Sequence, residues 1–290
     1  MMINARTLLV TGSNGDIGRD VVNKALAQGR VVFATIRNEA HKETFETHTN
    51  LHFILMHTDK AESIRQAFIE LDRLLEGLPL DTVIHCAAIE AAATVEFMDP
   101  ERLEQVYKVN TVGSLVVMQE CFPRLRQSGG TLILTSSLWG RVSGPLVSAY
   151  SASKWALESL TDAARRETRG MGFHITLANI GAVKSRMLSE HVISIHALLD
   201  KAGEEERALY GHTYREHADM TSKFSSIATS VESVSKTLLV IANKRNPSPR
   251  YTIGKDVKAL VFLDWLLPIR WMDALLGIKK PIFKTSRHLK

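Results

Sequence analysis

Residues 7–18 read Thr7-Leu8-Leu9-Val10-Thr11-Gly12-Ser13-Asn14-Gly15-Asp16-Ile17-Gly18. A short apolar run passes through spaced glycines into a helical pattern. Glycine allows a tight turn at such a junction and lets backbone N–H groups approach a pyrophosphate at the helix N-terminus. Outward from this stretch, residues 8–10, 31–34, 51–55, 82–84, 131–134 and 175–177 form short, mostly apolar runs, while residues 17–28, 63–76, 103–127 and 149–169 carry helical patterns. Short apolar strands alternating with longer helices predict a parallel sheet covered on both faces. The expected fold is therefore α/β, a Rossmann-type doubly wound sheet in one domain over residues 1–255. Two regions break the rhythm. Residues 186–224 are polar and rich in histidine, as an inserted substrate lid would be. Residues 256–277 are strongly apolar, contain Pro268 and open a C-terminal helical extension over 256–290.

The chain of 290 residues, 45% hydrophobic and 23% charged, has the composition of an ordinary globular protein with a sizeable core. Cys86 and Cys121 form neither a metal-binding nor a redox spacing, and two thiols make no disulfide framework, so a reducing cytoplasm is expected. The N-terminus lays out no secretory signal, and no window of 18 uncharged apolar residues exists. The net charge of +5 equals the five positive charges of Lys279, Lys280, Lys284, Arg287 and Lys290, which no carboxylate follows after Asp273. Residues 1–273 are then formally neutral, and nucleic acid is not an expected partner. A basic tail after an apolar segment suits peripheral contact with an anionic membrane instead. His191, His196, His212 and His217 are spaced by five or more residues, and no metal site is expected from them.

The second strand ends Ala34-Thr35-Ile36-Arg37-Asn38. A site for an unphosphorylated dinucleotide places a carboxylate here to hold the ribose hydroxyls. This chain offers Ile36 and then Arg37, whose guanidinium suits a 2′-phosphate, with Asn38 as a further donor. NADP(H) is the expected cofactor, with NAD(H) as the alternative. Later, Ser137 precedes Tyr150 by 13 residues and Lys154 follows by four. An i, i+4 pair shares one helix face, and an ammonium beside a phenol favours the phenolate, drawing its pKa down from about 10.

Thr11 to Gly18, Asp59, Asn110, Ser137, Tyr150, Lys154 and the run Asn179-Ile180-Gly181-Ala182-Val183-Lys184-Ser185 fall in the order and spacing of the short-chain dehydrogenase/reductases. The resemblance covers roughly residues 6–255 and is closest to the compact branch. It implies that Tyr150 is the acid/base, that Ser137 hydrogen-bonds the same substrate oxygen and that Lys154 binds the nicotinamide ribose. It further implies that Asn110 supports a water-linked proton relay through Lys154. Asp59 would sit by the adenine, Val183 and Ser185 would address the nicotinamide carboxamide, and Gly12, Ser13, Asn14, Gly15, Asp16, Ile17, Gly18, Ala87 and Ala88 would line the cofactor. A homo-dimer or tetramer is implied as well.

Three departures stand out. Asp16 replaces the usual glycine, and the glycine spacing together with His85-Cys86-Ala87-Ala88 resembles the extended, nucleotide-sugar branch. Ile180 replaces a proline, which predicts a less rigid loop before Gly181. Residues 260–272 resemble the C-terminal segments of hydroxysteroid- and retinol-type members. As an apolar cover they suit a small hydrophobic carbonyl or alcohol substrate, although packing on the core or on another subunit explains them equally. Trp139 and Trp155 flank the expected site and are candidates for its lining, whereas His85 at a strand end reads as a packed core residue. The favoured activity is thus interconversion of a hydrophobic alcohol with its ketone or aldehyde. A nucleotide-sugar epimerase or dehydratase, supported if a second domain is present, and a non-catalytic dinucleotide-responsive sensor are the alternatives.

Overall fold

The computed structural model describes residues 6–277. In chain order it contains β1 (Thr7–Thr11), α1 (Asp16–Ala27), β2 (Val31–Ile36), β3 (Leu51–Leu55), α2 (Ala61–Leu75), β4 (Thr82–His85), α3 (Pro100–Tyr107), α4 (Ser114–Ser128), β5 (Thr131–Ser137), α5 (Ser148–Glu167) and β6 (His174–Ile180). There follow β7 (Val183–Lys184), α6 (Arg186–Lys201), α7 (Glu204–Ile227), β8 (Thr229–Ser230), α8 (Val231–Ala242), β9 (Arg250–Ile253), α9 (Lys255–Leu266) and α10 (Ile269–Leu276).

Seven strands form one parallel sheet in the order β3-β2-β1-β4-β5-β6-β9. Side chains alternate across its faces, as the period of two in a strand requires. Leu9, Phe33, Val83, Leu132 and Leu177 pack under α2, α4 and α5. Leu8, Val10, Val32, Ile84, Ile133 and Ala178 pack under α1 and α8. The order reverses at β1, between β2 and β4, and the crevice at the carboxyl ends of the strands opens there.

The expected helix over 103–127 is not one regular helix. It starts at Pro100, capped by Asp99, whose carboxylate accepts from Glu101 N at 3.0 Å. It then widens into a π-helical turn over Lys108–Gly113 before α4. Within that turn a Cβ on Gly113 would stand 2.0 Å from Thr58 O, so the turn packs against the loop after β3. Strand β9 and helix α8 lie outside the runs read from the sequence, although α8 carries the apolar stretch Leu238-Leu239-Val240-Ile241-Ala242; β9 lies at the sheet edge and is only partly buried.

The expected lid is two helices, α6 and α7, and runs on to Ile227. Its two ends are tied together where β7 pairs with β8. Ile195, Tyr214 and Ala218 of the lid pack on Leu146, in the loop that leads into α5. Leu146 has a φ of +62° although it carries a side chain, a strained conformation held by burial and by its carbonyl accepting from Ala93 N at 3.1 Å. Helices α9 and α10 bury Val257 and Met272 against Leu138 and Val142.

Candidate active site

The loop after β1 is built by its backbone. Gly12 has a φ of +65°, and a Cβ on it would meet Ala87 Cα at 2.8 Å. Ala87 and Ala88, at the end of β4, thus close on the loop through glycine alone. A Cβ on Gly18 would stand 2.4 Å from Gly12 O, which brings the first turn of α1 hard against the loop. Ser13 faces inward as a brace: its hydroxyl donates to Thr35 O at 2.7 Å. The result is a cradle of backbone N–H groups at a helix N-terminus that no side chain fills, and it fits a dinucleotide pyrophosphate.

Asp16 does not leave a bare negative charge in that cradle. Arg186, first residue of α6, donates from Nε to Asp16 Oδ1 at 2.9 Å and from Nη2 to Asn14 O at 2.9 Å, and its backbone N–H reaches Asp16 Oδ2 at 2.6 Å. The substitution of glycine by Asp16 therefore anchors the lid across the phosphate loop. Arg186 carried no recognisable motif; only its pairing with Asp16 reveals it.

A cleft of about 890 Å³ runs from Arg37 and Asp59 past Gly15 and Ala87 to Glu90 and His191. Its size is that of a ligand site. Arg37 is exposed at the end of β2 and lines the cleft. Asn38 turns elsewhere: its Oδ1 accepts from Ala40 N at 3.0 Å and caps a short helical turn. Ile17 and Ser185 line the same space, whereas Val183 is buried in β7.

Ser137 ends β5, and Tyr150 and Lys154 sit one turn apart at the start of α5. The Ser137 hydroxyl hydrogen-bonds the Tyr150 phenol and lowers its pKa, but burial first and the Glu90 carboxylate second hold that phenol above the ordinary tyrosine value. Lys154 does not draw the phenol down as the i, i+4 spacing predicts. Its Nζ donates to Thr135 O at 2.9 Å and lies 5.6 Å from the centre of the Tyr150 ring. Burial lowers the Lys154 ammonium itself to about 8.

Asn110 is fully engaged. Its Nδ2 donates to Ile89 O at 2.8 Å and to Ser153 Oγ at 3.0 Å, and its Oδ1 accepts from Ile89 N at 2.9 Å. It ties the loop after β4 to the helix that carries Lys154, with both Nδ2 hydrogens taken and one acceptor site left on Oδ1. The π-helical turn presents it there. His85 is buried between Thr11 Oγ1 at 2.6 Å and Ser114 Oγ at 2.8 Å, and burial, then Lys154, lowers it to about 3. It is a neutral core residue, as its strand-end position suggested.

The rigidity expected to be lost at Ile180 is restored from another element. Asp256, in the first turn of α9, accepts from Ala182 N at 2.7 Å, and Gly181 N donates to Ile253 O at 2.9 Å. Trp139 packs on Gly144 and Trp155 is largely exposed; neither lines the cleft, and nor does any residue of α9 or α10. Ser137, Tyr150 and Lys154 are likewise absent from the lining of that cleft, and α9 and α10 pack on Leu138, next to Ser137.

Two lid histidines do come together. His191 Nε2 lies 3.1 Å from His217 Nε2, and His191 Nδ1 contacts Glu90. His196 is exposed and His212 pairs with Glu216. Among the described residues no group of three metal-ligating side chains occurs. Beyond Ser185, the described residues form the two lid helices, α8, β9 and the α9–α10 pair, with no second domain of the kind a nucleotide-sugar enzyme needs.

A family model described as short chain dehydrogenase matches residues 6–194. The chain is 25% identical over 277 residues to a 3-amino-tetrahydro-pyrrolizinone reductase of Xenorhabdus hominickii, covering 95% of this chain and 96% of that one. It is 24% identical to an NADPH-dependent 3-dehydrocapnine reductase of Ornithobacterium rhinotracheale, covering 92% and 95% of the two chains. A short chain dehydrogenase from Burkholderia cenocepacia, solved in complex with NADP, superposes with a TM-score of 0.73 at 17% identity, over 96% of this chain and all of that one.

Proposed function

Because this chain belongs to the short chain dehydrogenase family, we propose that it is an NADP(H)-dependent reductase of a hydrophobic ketone or aldehyde, with Tyr150 as the acid. The observation that carries this reading is geometric: Ser137 ends β5, and Tyr150 and Lys154 stand one turn apart at the start of α5. A protonated phenol there can donate to a carbonyl oxygen in reduction, and its phenolate can take the proton from an alcohol in the reverse sense. Ser137 stabilises charge on that same oxygen. The bound nicotinamide supplies the hydride. Lys154, at about 8, stays an ammonium at neutral pH and can return a proton to the phenolate. Asn110 acts through Ser153 as a positioning residue for α5.

Cofactor choice rests on Arg37. No carboxylate pairs with it among the described residues, so its guanidinium is available to a 2′-phosphate. The two reductases named above carry ketone-type names, and one is named for NADPH. Helices α9 and α10 present Trp265, Ile269 and Trp271, each at least 65% exposed. Such an apolar face next to the basic tail favours peripheral contact with an anionic membrane. No helix among the described residues is long and apolar enough to cross one, and the tail itself, Lys279 to Lys290, lies outside the described residues.

NADPH oxidation against a panel of ketones and aldehydes tests the reading, followed by Tyr150→Phe on whichever substrate turns over. Removal of the hydroxyl should leave cofactor affinity intact and lower turnover by roughly 10²–10⁴-fold. Full turnover by the variant would remove Tyr150 from the chemistry.

A further inference from the structure

Arg186 joins the lid to the phosphate loop. Helix α6 begins at this residue, and across its first turn, residues 186–190, no side chain is buried; burial starts further along, at His191 and Ile195. Ser185 stands at the N-cap position of α6 and makes no side-chain cap. The cap comes from another element. Asp16 Oδ2, at the start of α1, accepts from Arg186 N at 2.6 Å, while Asp16 Oδ1 and Asn14 O each take the Arg186 guanidinium at 2.9 Å. Hydrogen bonds to one residue thus tie down a turn that apolar packing leaves unheld. Asn14, Gly15 and Asp16 line one side of the cleft that holds Arg37 and Asp59, and Arg186, Met187 and Glu190 line the side that the lid supplies, so these bonds join the two.

The backbone cradle in that cleft fits a pyrophosphate, yet its helix opens with a carboxylate. Asp16 and a pyrophosphate are like charges side by side, which costs binding unless a cation stands with them. The lid supplies that cation as Arg186. Arg19 of α1 also approaches Asp16, at 3.6 Å, so the carboxylate keeps a partner when the lid moves away. Arg186 is 60% exposed, and an ion pair so exposed is weak enough to open and close. We propose that Arg186 is a cofactor-retaining residue: with Asp16 it clasps the lid to the phosphate loop across the bound dinucleotide, and the cofactor leaves when the clasp opens. Asp16 is the positioning residue of the pair. The inference rests on the cleft as the cofactor site and is independent of the substrate and of the direction of the reaction.

The experiment uses the full chain and no substrate. Release of bound NADPH is followed by stopped-flow fluorescence as excess NADP⁺ displaces it, and NADH is treated in the same way with NAD⁺. Asp16→Asn and Arg186→Gln keep the shapes and remove one charge each. Each should speed release by about three- to ten-fold, between the worth of an exposed ion pair and that of a charged hydrogen bond. The two cofactors should respond equally, since they share the pyrophosphate. The double variant should release no faster than either single one, because one clasp is lost only once. Arg19→Gln touches the same carboxylate without holding the lid and should leave release unchanged. Unaltered release in both single variants would overturn the proposal, and so would a double variant whose acceleration is the product of the two. Acceleration by Arg19→Gln as large as that by Arg186→Gln would overturn it too, because charge at Asp16 and not the lid would then set the rate. Should a single variant fail to fold, Arg186→Lys decides in its place: it keeps the charge, cannot reach Asp16 and Asn14 O together, and should still speed release. A protein that binds neither dinucleotide would sink the cofactor site and the clasp with it, whereas failure of every ketone to turn over would sink the reductase reading alone.

Discussion

The segment from β1 to β6 and the segment that follows it are built from different materials. In the first, the cofactor cradle is backbone: Gly12, Gly18 and Ala87 approach so closely that no side chain fits between them. Every residue of β1, β4 and β5 is buried. In the second, the work is done by side chains drawn from distant places. Arg186 clamps Asp16, Asp256 braces Gly181, and His191 and His217 hold Glu90. Its outer helices leave Phe262, Trp265, Ile269 and Trp271 to the outside. The difference teaches that the first segment is built by backbone fit, which local spacing encodes, and the second by side-chain pairs between distant residues, which it does not.

The comparison breaks most easily at Gly18. If the cradle is fixed by backbone contact, Gly18→Ala forces a methyl onto Gly12 O and costs about 1–3 kcal/mol, as overpacking does. Both NADPH and NADH should then bind more weakly, and the denaturant midpoint should fall. A variant that binds both cofactors normally would mean that the loop is not rigid. Arg37→Ala sharpens the same side, since it is the one cleft-lining side chain at the end of β2 that can tell the two cofactors apart. One charge-assisted contact is worth about 1.5–3 kcal/mol, so NADPH should lose on the order of ten- to a hundred-fold in affinity and NADH almost nothing. Equal losses, or tighter NADH in the unmutated protein, would make Arg37 a solvated surface residue.

The smallest effect expected is on the other side. If α9 and α10 meet an anionic surface, the protein should co-sediment with phosphatidylserine vesicles at low salt and be released as salt rises. Removal of residues 279–290 should weaken binding by about 1 kcal/mol for each basic residue near the surface. Absence of binding at low salt would leave the exposed tryptophans to a protein partner.

The sheet was legible because its strands are continuous apolar runs, a pattern forced on any strand buried on both faces. The helix over 103–127 was read too simply, since nothing local announces a π-helical turn that only the Asn110 contacts and the fit of Gly113 on Thr58 require. Strand β9 escaped for the opposite reason: Arg250, Tyr251 and Thr252 are partly exposed, so the edge carries no apolar signature.

By itself the sequence determined the doubly wound fold, the glycine cradle, the absence of a carboxylate after β2, and the set Ser137, Tyr150 and Lys154. These depend on local spacing and residue type. Tertiary structure alone decided the rest, because it turns on through-space neighbours. Asp16 and Arg186 are 170 residues apart and His191 and His217 are 26 apart, and no local pattern links either pair. The same holds for the Tyr150 phenol. Its spacing to Lys154 predicts a lowered pKa, yet burial and the charge of Glu90 raise it, while the Lys154 ammonium is committed to Thr135 O.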